Sequence, residues 1–353
     1  MSGPSAEQVA QLDKSNQTGD VLAMPSQLED ALWRVETSGI AQREELRKED
    51  AQAPLLVCGM GGSAVGGDLA AGVMGGRLTR PLITVRGYEL PSWATPDTVV
   101  LCASYSGNTE ETLACYEAAR TLQAPRVVVT TGGRLAEAAR ADGTAVIGIP
   151  AGLQPRAAVA YMLVTVLEVA AFAGVAPRVR TEIDAGASAL TELVAKWSPD
   201  QDEGNLAKEL AASVLNTCVC VYGAGPTAAV AYRWKTQINE NAKQHAFSAV
   251  LPEADHNEIV GWERAAAIGR CFALFLEDAD QHPRIRRRIE LTSQLISPGA
   301  AGTQTVSSIG NSPLERLLSL ILLGDLTSIY LAVLSGTDPS PVPVIERLKQ
   351  ELA

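Results

Sequence analysis

Two short loops rich in glycine and hydroxyl groups, Gly59-Met60-Gly61-Gly62-Ser63 and Ser104-Tyr105-Ser106-Gly107-Asn108-Thr109, carry residue types that can hold a phosphate. Each follows a short apolar run and precedes a helix-like stretch. Backbone amides at such a junction point at an incoming anion, and Ser or Thr hydroxyls add neutral donors. The second loop sets Ser104, Ser106 and Thr109 at one helix start, where capping needs a single hydroxyl, so anion binding is the better reading. The first loop, taken alone, reads equally well as a tight turn that needs glycine for packing. No lysine follows in the GK[ST] manner, which disfavours a nucleoside triphosphate with its magnesium. Gly59, Gly61 and Gly62 are out of register with GxGxxG, and the next strand-like run closes on Arg86-Gly87-Tyr88 without an acidic residue, which disfavours a nicotinamide cofactor.

Groups that could move protons lie in the second half. In Gln237-Ile238-Asn239-Glu240-Asn241-Ala242-Lys243 polar residues stand where a core-facing helical stripe would be apolar, and Glu240 is the carboxylate of interest. Spacing alone leaves a solvated surface glutamate as the competing reading. Glu253-Ala254-Asp255-His256-Asn257-Glu258 is too polar for core, so His256 is either a proton shuttle or a solvated loop histidine. His245, after a helix end, and His282, before Pro283, read as structural. The run Arg284-Ile285-Arg286-Arg287-Arg288 reads as a solvated helix face or a subunit contact. The six cysteines show no CxxC spacing and fall mostly in apolar runs, as reduced core residues do; Cys218 and Cys220 share a strand face, but two thiols make no zinc site.

These residues need elements to position them. Strand-like runs at 55–58, 81–86, 99–103, 126–130 and 145–149 alternate with helix-compatible stretches, which predicts a parallel, doubly wound sheet. A second strand, turn and helix begins at Cys218-Val219-Cys220-Val221-Tyr222, continues through Gly223-Ala224-Gly225-Pro226-Thr227, and runs into a helix expected over 228–243. Further strands are expected at 246–251, 267–276 and 303–307. The fold class is therefore α/β with two such domains: a helical N-terminal extension and phosphate-loop domain over 1–180, and a second domain over 181–353. With 353 residues, 46% apolar and 20% charged, the chain suits two packed domains. A net charge of −11 offers no diffuse positive field for nucleic acid or anionic membrane, so an anionic ligand must be caught locally. The polar N-terminus shows no secretion signal, and the apolar run 317–334, interrupted by Gly324-Asp325, reads as a buried helix; a cytoplasmic location is expected.

Taken in order, Gly59 to Ser63, Ser104 to Thr112, Pro155-Arg156-Ala157-Ala158, Asn239 to Lys243, His256-Asn257-Glu258 and the terminal Pro341 to Leu352 resemble the bifunctional phosphoglucose/phosphomannose isomerases, which are built from two sugar-isomerase (SIS) domains. The resemblance implies that Gly62, Ser63, Ser104, Ser106 and Thr109 hold a sugar phosphate, with Arg156 close to the substrate. It further implies that Glu240 is the base and that His256 and Lys349 assist ring opening. A homodimer is implied, His256 reaching the active site of the neighbouring subunit. No cofactor or metal is expected. The sequence departs from the family's pattern at Ser340, where relatives commonly carry threonine, and at the opening Asn16-Gln17-Thr18-Gly19-Asp20. The competing readings are a non-catalytic SIS sensor and an isomerase of another phosphosugar.

Overall fold

The computed structural model describes residues 3–47 and 52–352. Apolar runs bounded by turn residues become strands. In the first half these are β1 (Leu55–Gly59), β2 (Leu82–Val85), β3 (Val99–Ala103), β4 (Arg126–Thr130) and β5 (Ala145–Gly148). They form one parallel sheet in the order β2-β1-β3-β4-β5, with Leu55 opposite both Leu82 and Val99. Every residue of β1 and β3 is buried, as expected when helices cover both faces of a parallel sheet. On one face Cys115, Tyr116 and Ala119 of the helix Glu110–Thr121 and Leu135 and Ala139 of the helix Gly133–Ala141 pack on Leu56, Cys58, Val100, Cys102 and Val128. The helix Gly61–Met74 meets the helix Val159–Phe172, buried through Ala170, so closely that a Cβ on Gly66 would sit 2.8 Å from the Met162 backbone carbon. Small residues are therefore a packing requirement of that helix.

The second half repeats the plan with four strands: β6 (Cys218–Gly223), β7 (Ala246–Val250), β8 (Cys271–Glu277) and β9 (Gly302–Ser307). All pair in parallel, in the order β7-β6-β8-β9. Tyr222, Phe275, Trp262, Ile289 and Ile296 form a core on one side of it, the Tyr222 and Phe275 rings stacking at 4.9 Å. Both sheets thus carry the same α/β organisation that the βαβ spacing predicts.

Two expectations are corrected. The strand expected over 267–276 begins only at Cys271, because Ala265–Ile268 forms a helical turn that Gly269 ends; an alanine run favours helix over strand. The helix expected over 228–243 is α-helical only over Pro226–Gln237 and continues as a π-helical turn over Ile238–Ala242.

The chain divides into two compact units: Ala23–Ala189 with Asn311–Glu315, and Met1–Leu22 with Leu190–Gly310 and Arg316–Ala353. Among the described residues one helix, Pro313–Leu334, is long and apolar enough to cross a membrane, and it is almost wholly buried inside the protein. The six cysteines are free thiols.

Candidate active site

In the first sheet the strand order reverses at β1, which has β2 on one side and β3 on the other; ligands of such folds sit beyond the strand ends at this point. The two hydroxyl loops leave the sheet here. A Cβ on Gly59 would lie 2.8 Å from the Ala103 carbonyl oxygen, so glycine lets the loops meet. The amide of Tyr105 donates to Ser63 Oγ at 3.1 Å and ties one loop to the other. Ser104 Oγ accepts from the Gly107 amide at 3.1 Å and lies 2.9 Å from Thr109 Oγ1. Thr109 stands at the N-cap of the helix Glu110–Thr121 with extended backbone, yet its side chain does not cap. The amides of that first turn and of the helix Gly61–Met74 lack a side-chain cap, as an anion site requires.

The structure thus brings Ser63, Ser104 and Thr109 together, and Gly62 and Arg156 beside them. A Cβ on Gly62 would fall 3.1 Å from Arg156 Cα. Arg156 is buried in the turn Pro155–Ala157, with Nη1 donating to Gln154 Oε1 at 3.2 Å. Ser106 differs: it is exposed, and its hydroxyl accepts from the Asn108 amide at 3.2 Å, shaping the loop.

Sequence reasoning missed several supports of this cup. Tyr105 OH donates to Pro150 O at 3.0 Å and accepts from the Leu153 amide at 2.8 Å, linking the serine loop to the segment that leads to Arg156. Gly107, at φ +69°, would place a Cβ only 1.8 Å from the Gly132 carbonyl oxygen. Asn108 Oδ1 accepts from the Arg134 amide at 3.2 Å. The one sequence signal was the Gly132-Gly133 pair after β4.

Glu240 is half-buried at the centre of the π-helical turn, a distortion that recurs at functional sites. Both its neighbours are fixed. Asn239 pairs with the backbone of Ala246 at 3.0 and 3.1 Å, and Asn241, fully buried, donates to Ser328 Oγ at 2.8 Å. Lys243, at φ +52°, ends the turn and donates to the carbonyls of Asn241, Asp338 and Pro339.

His256 ends the short turn Glu253–His256 after β7 and is exposed. Its backbone is nonetheless held firmly. The neighbouring Asp255 carboxylate accepts from Arg288 at 2.8 Å and Thr292 at 2.7 Å, and Asn257 donates to Glu253. Arg286 and Arg287 of the basic run are likewise paired, with Glu277 and Glu290. Tyr222 OH donates to Glu258 at 2.5 Å while accepting from Trp262 Nε1; burial, then the Glu258 bond, pushes this phenol's pKa up, so it stays a donor. Lys349 lies on the helix Pro343–Leu352, which has no buried residue.

The corresponding crest of the second sheet is filled by its own groups. Thr227 Oγ1 accepts from the Ala224 amide at 2.9 Å and lies 3.0 Å from the Leu276 carbonyl. Past β8, Asp278 binds Arg316 at 2.6 Å and Ser308 at 3.1 Å. The second-sheet loop has no counterpart of the converging Ser63, Ser104 and Thr109 hydroxyls, although its helix Pro226–Gln237 also starts without a side-chain cap. Among the described residues no group of three His, Cys, Asp or Glu is placed to hold a metal ion.

Residues 203–352 match the family model described as the bacterial phospho-glucose isomerase C-terminal SIS domain. A bifunctional phosphoglucose/phosphomannose isomerase from Caldicellulosiruptor bescii is 41% identical over 302 residues, spanning 85% of this chain and 89% of that protein. The chain belongs to this isomerase family. Another member, from Aquifex aeolicus, is 35% identical and spans 84% of this chain and 90% of its own. In fold, the chain is similar to a hypothetical protein from Thermus thermophilus, with a TM-score of 0.73 at 16% identity, covering 98% of this chain and 93% of that one. The residues matched by the family model include the second sheet and the π-helical turn.

Proposed function

We propose that the protein is an aldose-ketose isomerase that interconverts glucose 6-phosphate and/or mannose 6-phosphate with fructose 6-phosphate. The observation that carries this reading is the cup itself: Ser63, Ser104 and Thr109 converge at two uncapped helix starts beside buried Arg156. Such a cup suits the phosphate of a monophosphorylated hexose. Ser106 and Gly62 complete the binding set. Glu240 serves as the base: it takes the proton from C2 of the open-chain aldose while the C1 carbonyl oxygen gains one, which gives the cis-enediol; C1 then regains a proton from Glu240 as the C2 hydroxyl gives up its own, which leaves the ketose. His256 and Lys349 carry protons between the ring oxygen and the C1 hydroxyl, so that the ring opens. Because the C2 stereocentre is lost in the enediol, glucose and mannose phosphates share one intermediate.

In this reading the halves divide near residue 180 into a phosphate-holding and a proton-moving part, and the enzyme acts in the cytoplasm. It works as a homodimer in which His256 is donated to the neighbouring subunit. The exposed His256 on a firmly held turn, with the apolar side chains of Phe247, Val250 and Val260 also exposed nearby in sequence, supports that role.

The test is to incubate chelator-treated protein with fructose 6-phosphate and separate the hexose phosphates. Glucose 6-phosphate, mannose 6-phosphate or both are expected. Glu240→Gln should keep substrate binding, measured by calorimetry, while losing roughly 10²–10⁴-fold in turnover. Full turnover in that variant would assign the base elsewhere, and binding without turnover by the native protein would make it a sensor.

A further inference from the structure

We infer that Asn241, clamped between Gln17 and Ser328, is a positioning residue that fixes the direction of Glu240, and that the N-terminal segment is thereby part of the catalytic apparatus. The inference rests on Glu240 being the base. Gln17 Nε2 donates to Asn241 Oδ1 at 2.9 Å, and Asn241 Nδ2 donates to Ser328 Oγ at 2.8 Å. Gln17 Oε1 in turn accepts from Ser340 Oγ at 3.2 Å. Gln17, Asn241, Ser328 and Ser340 are each at most 2% exposed. In such a setting a broken hydrogen bond is not replaced by water, so the cluster holds one arrangement strongly.

The turn needs such a hold. A π-helical turn inserts one residue into the α-helical register, and each residue of an α-helix rotates the next by about 100°. If Asn241 is released, the preceding helix Pro226–Gln237 can run on in α register, and Glu240, midway along the turn, swings through part of that angle. Gln17 lies on the short helix Gln17–Leu22, which Asp13 anchors by accepting from the Gln17 and Thr18 amides at 2.9 and 2.6 Å. The cluster also reaches the segment leading to Lys349, through Ser340 and through Lys243 bound to the Asp338 and Pro339 carbonyls. This gives a physical role to the opening stretch around Gln17, and it places the Ser340 hydroxyl in a structural bond.

Asn241→Ala and Gln17→Leu, the second leaving Asn241 and its bond to Ser328 in place, test the inference in the full chain. Re-aiming a base by even an ångström costs about 10²-fold, so kcat for fructose 6-phosphate should fall on the order of tenfold to 100-fold with KM nearly unchanged. The pH profile of kcat should shift, since the base enters a new environment. Wild-type kcat and pH profile in folded Gln17→Leu would overturn the inference, as would a loss seen in thermal stability alone. Hydrogen exchange of the amides of 238–242 gives an activity-independent readout. Should the native protein fail to turn over any hexose phosphate, the isomerase reading falls; faster exchange at 238–242 in both variants would still uphold the anchoring, and unchanged exchange would refute it.

Discussion

The Ser104 hydroxyl has one proton and two neighbours, and that arithmetic defines its task. It accepts from the Gly107 amide, which leaves its proton to share with Thr109 Oγ1 or to give to an anion. A hydrogen bond to a charged group contributes about 1.5–3 kcal/mol, so Ser104→Ala should raise KM for fructose 6-phosphate by roughly tenfold to 100-fold. Turnover at saturation should change far less, because the phosphate is remote from the carbons that react. Steady-state kinetics with inorganic phosphate as competitor separate the two: a weakened phosphate inhibition constant is expected, and an unchanged one would take Ser104 out of the cup. Burial, aided by Cys218, pushes the Cys220 thiol up to about 12, so thiolate chemistry has no place there near neutral pH.

At the scale of elements, the cup depends on three loops approaching one another, and Gly107 is where the approach is closest. A side chain there meets the Gly132 carbonyl at 1.8 Å and must adopt φ +69°. Gly107→Ala should therefore cost at least about 1–2 kcal/mol from the left-handed backbone alone and more from the clash. The expected result is a lower unfolding midpoint together with lost phosphate binding; a variant with native affinity would show that the loop is not built on this contact. The sequence made β1 and β3 legible because buried parallel strands are continuous apolar runs, and it made the cup legible because three hydroxyls at one helix start exceed what capping uses. The π-helical turn was not legible. It is fixed by bonds from Asn241 to residues 224 and 87 positions away, which no local period records. Tyr105 escaped for the same reason, since its partners Pro150 and Leu153 lie 45 and 48 positions on. Polar patterning marked Glu240 and His256 only as candidates and the resemblance supplied their roles, because an exposed or half-buried charged residue is the commonplace outcome for its type.

At the scale of the whole molecule, the residues proposed to move protons bear on assembly. His256 is exposed on a turn held by Arg288 and Thr292, and the helix that carries Lys349 buries none of its residues. Val344, Leu348 and Leu352 repeat every fourth residue along that helix and are 81%, 58% and 67% exposed. An amphipathic helix so arranged exposes an apolar face, and the proposed homodimer would cover it while bringing His256 to the neighbouring site. If His256 acts in the neighbouring subunit, Glu240→Gln and His256→Ala should complement each other. In a mixed dimer one site then combines the intact Glu240 of one chain with the intact His256 of the other, and the second site has neither. Random reassociation of equal amounts makes about half the dimers mixed, so activity should return to about a quarter of the native level from two nearly inactive preparations. Mass measurement of the mixture confirms subunit exchange. With exchange confirmed, no recovery of activity would mean that Glu240 and His256 serve the same chain, and the dimer would then have no part in the chemistry.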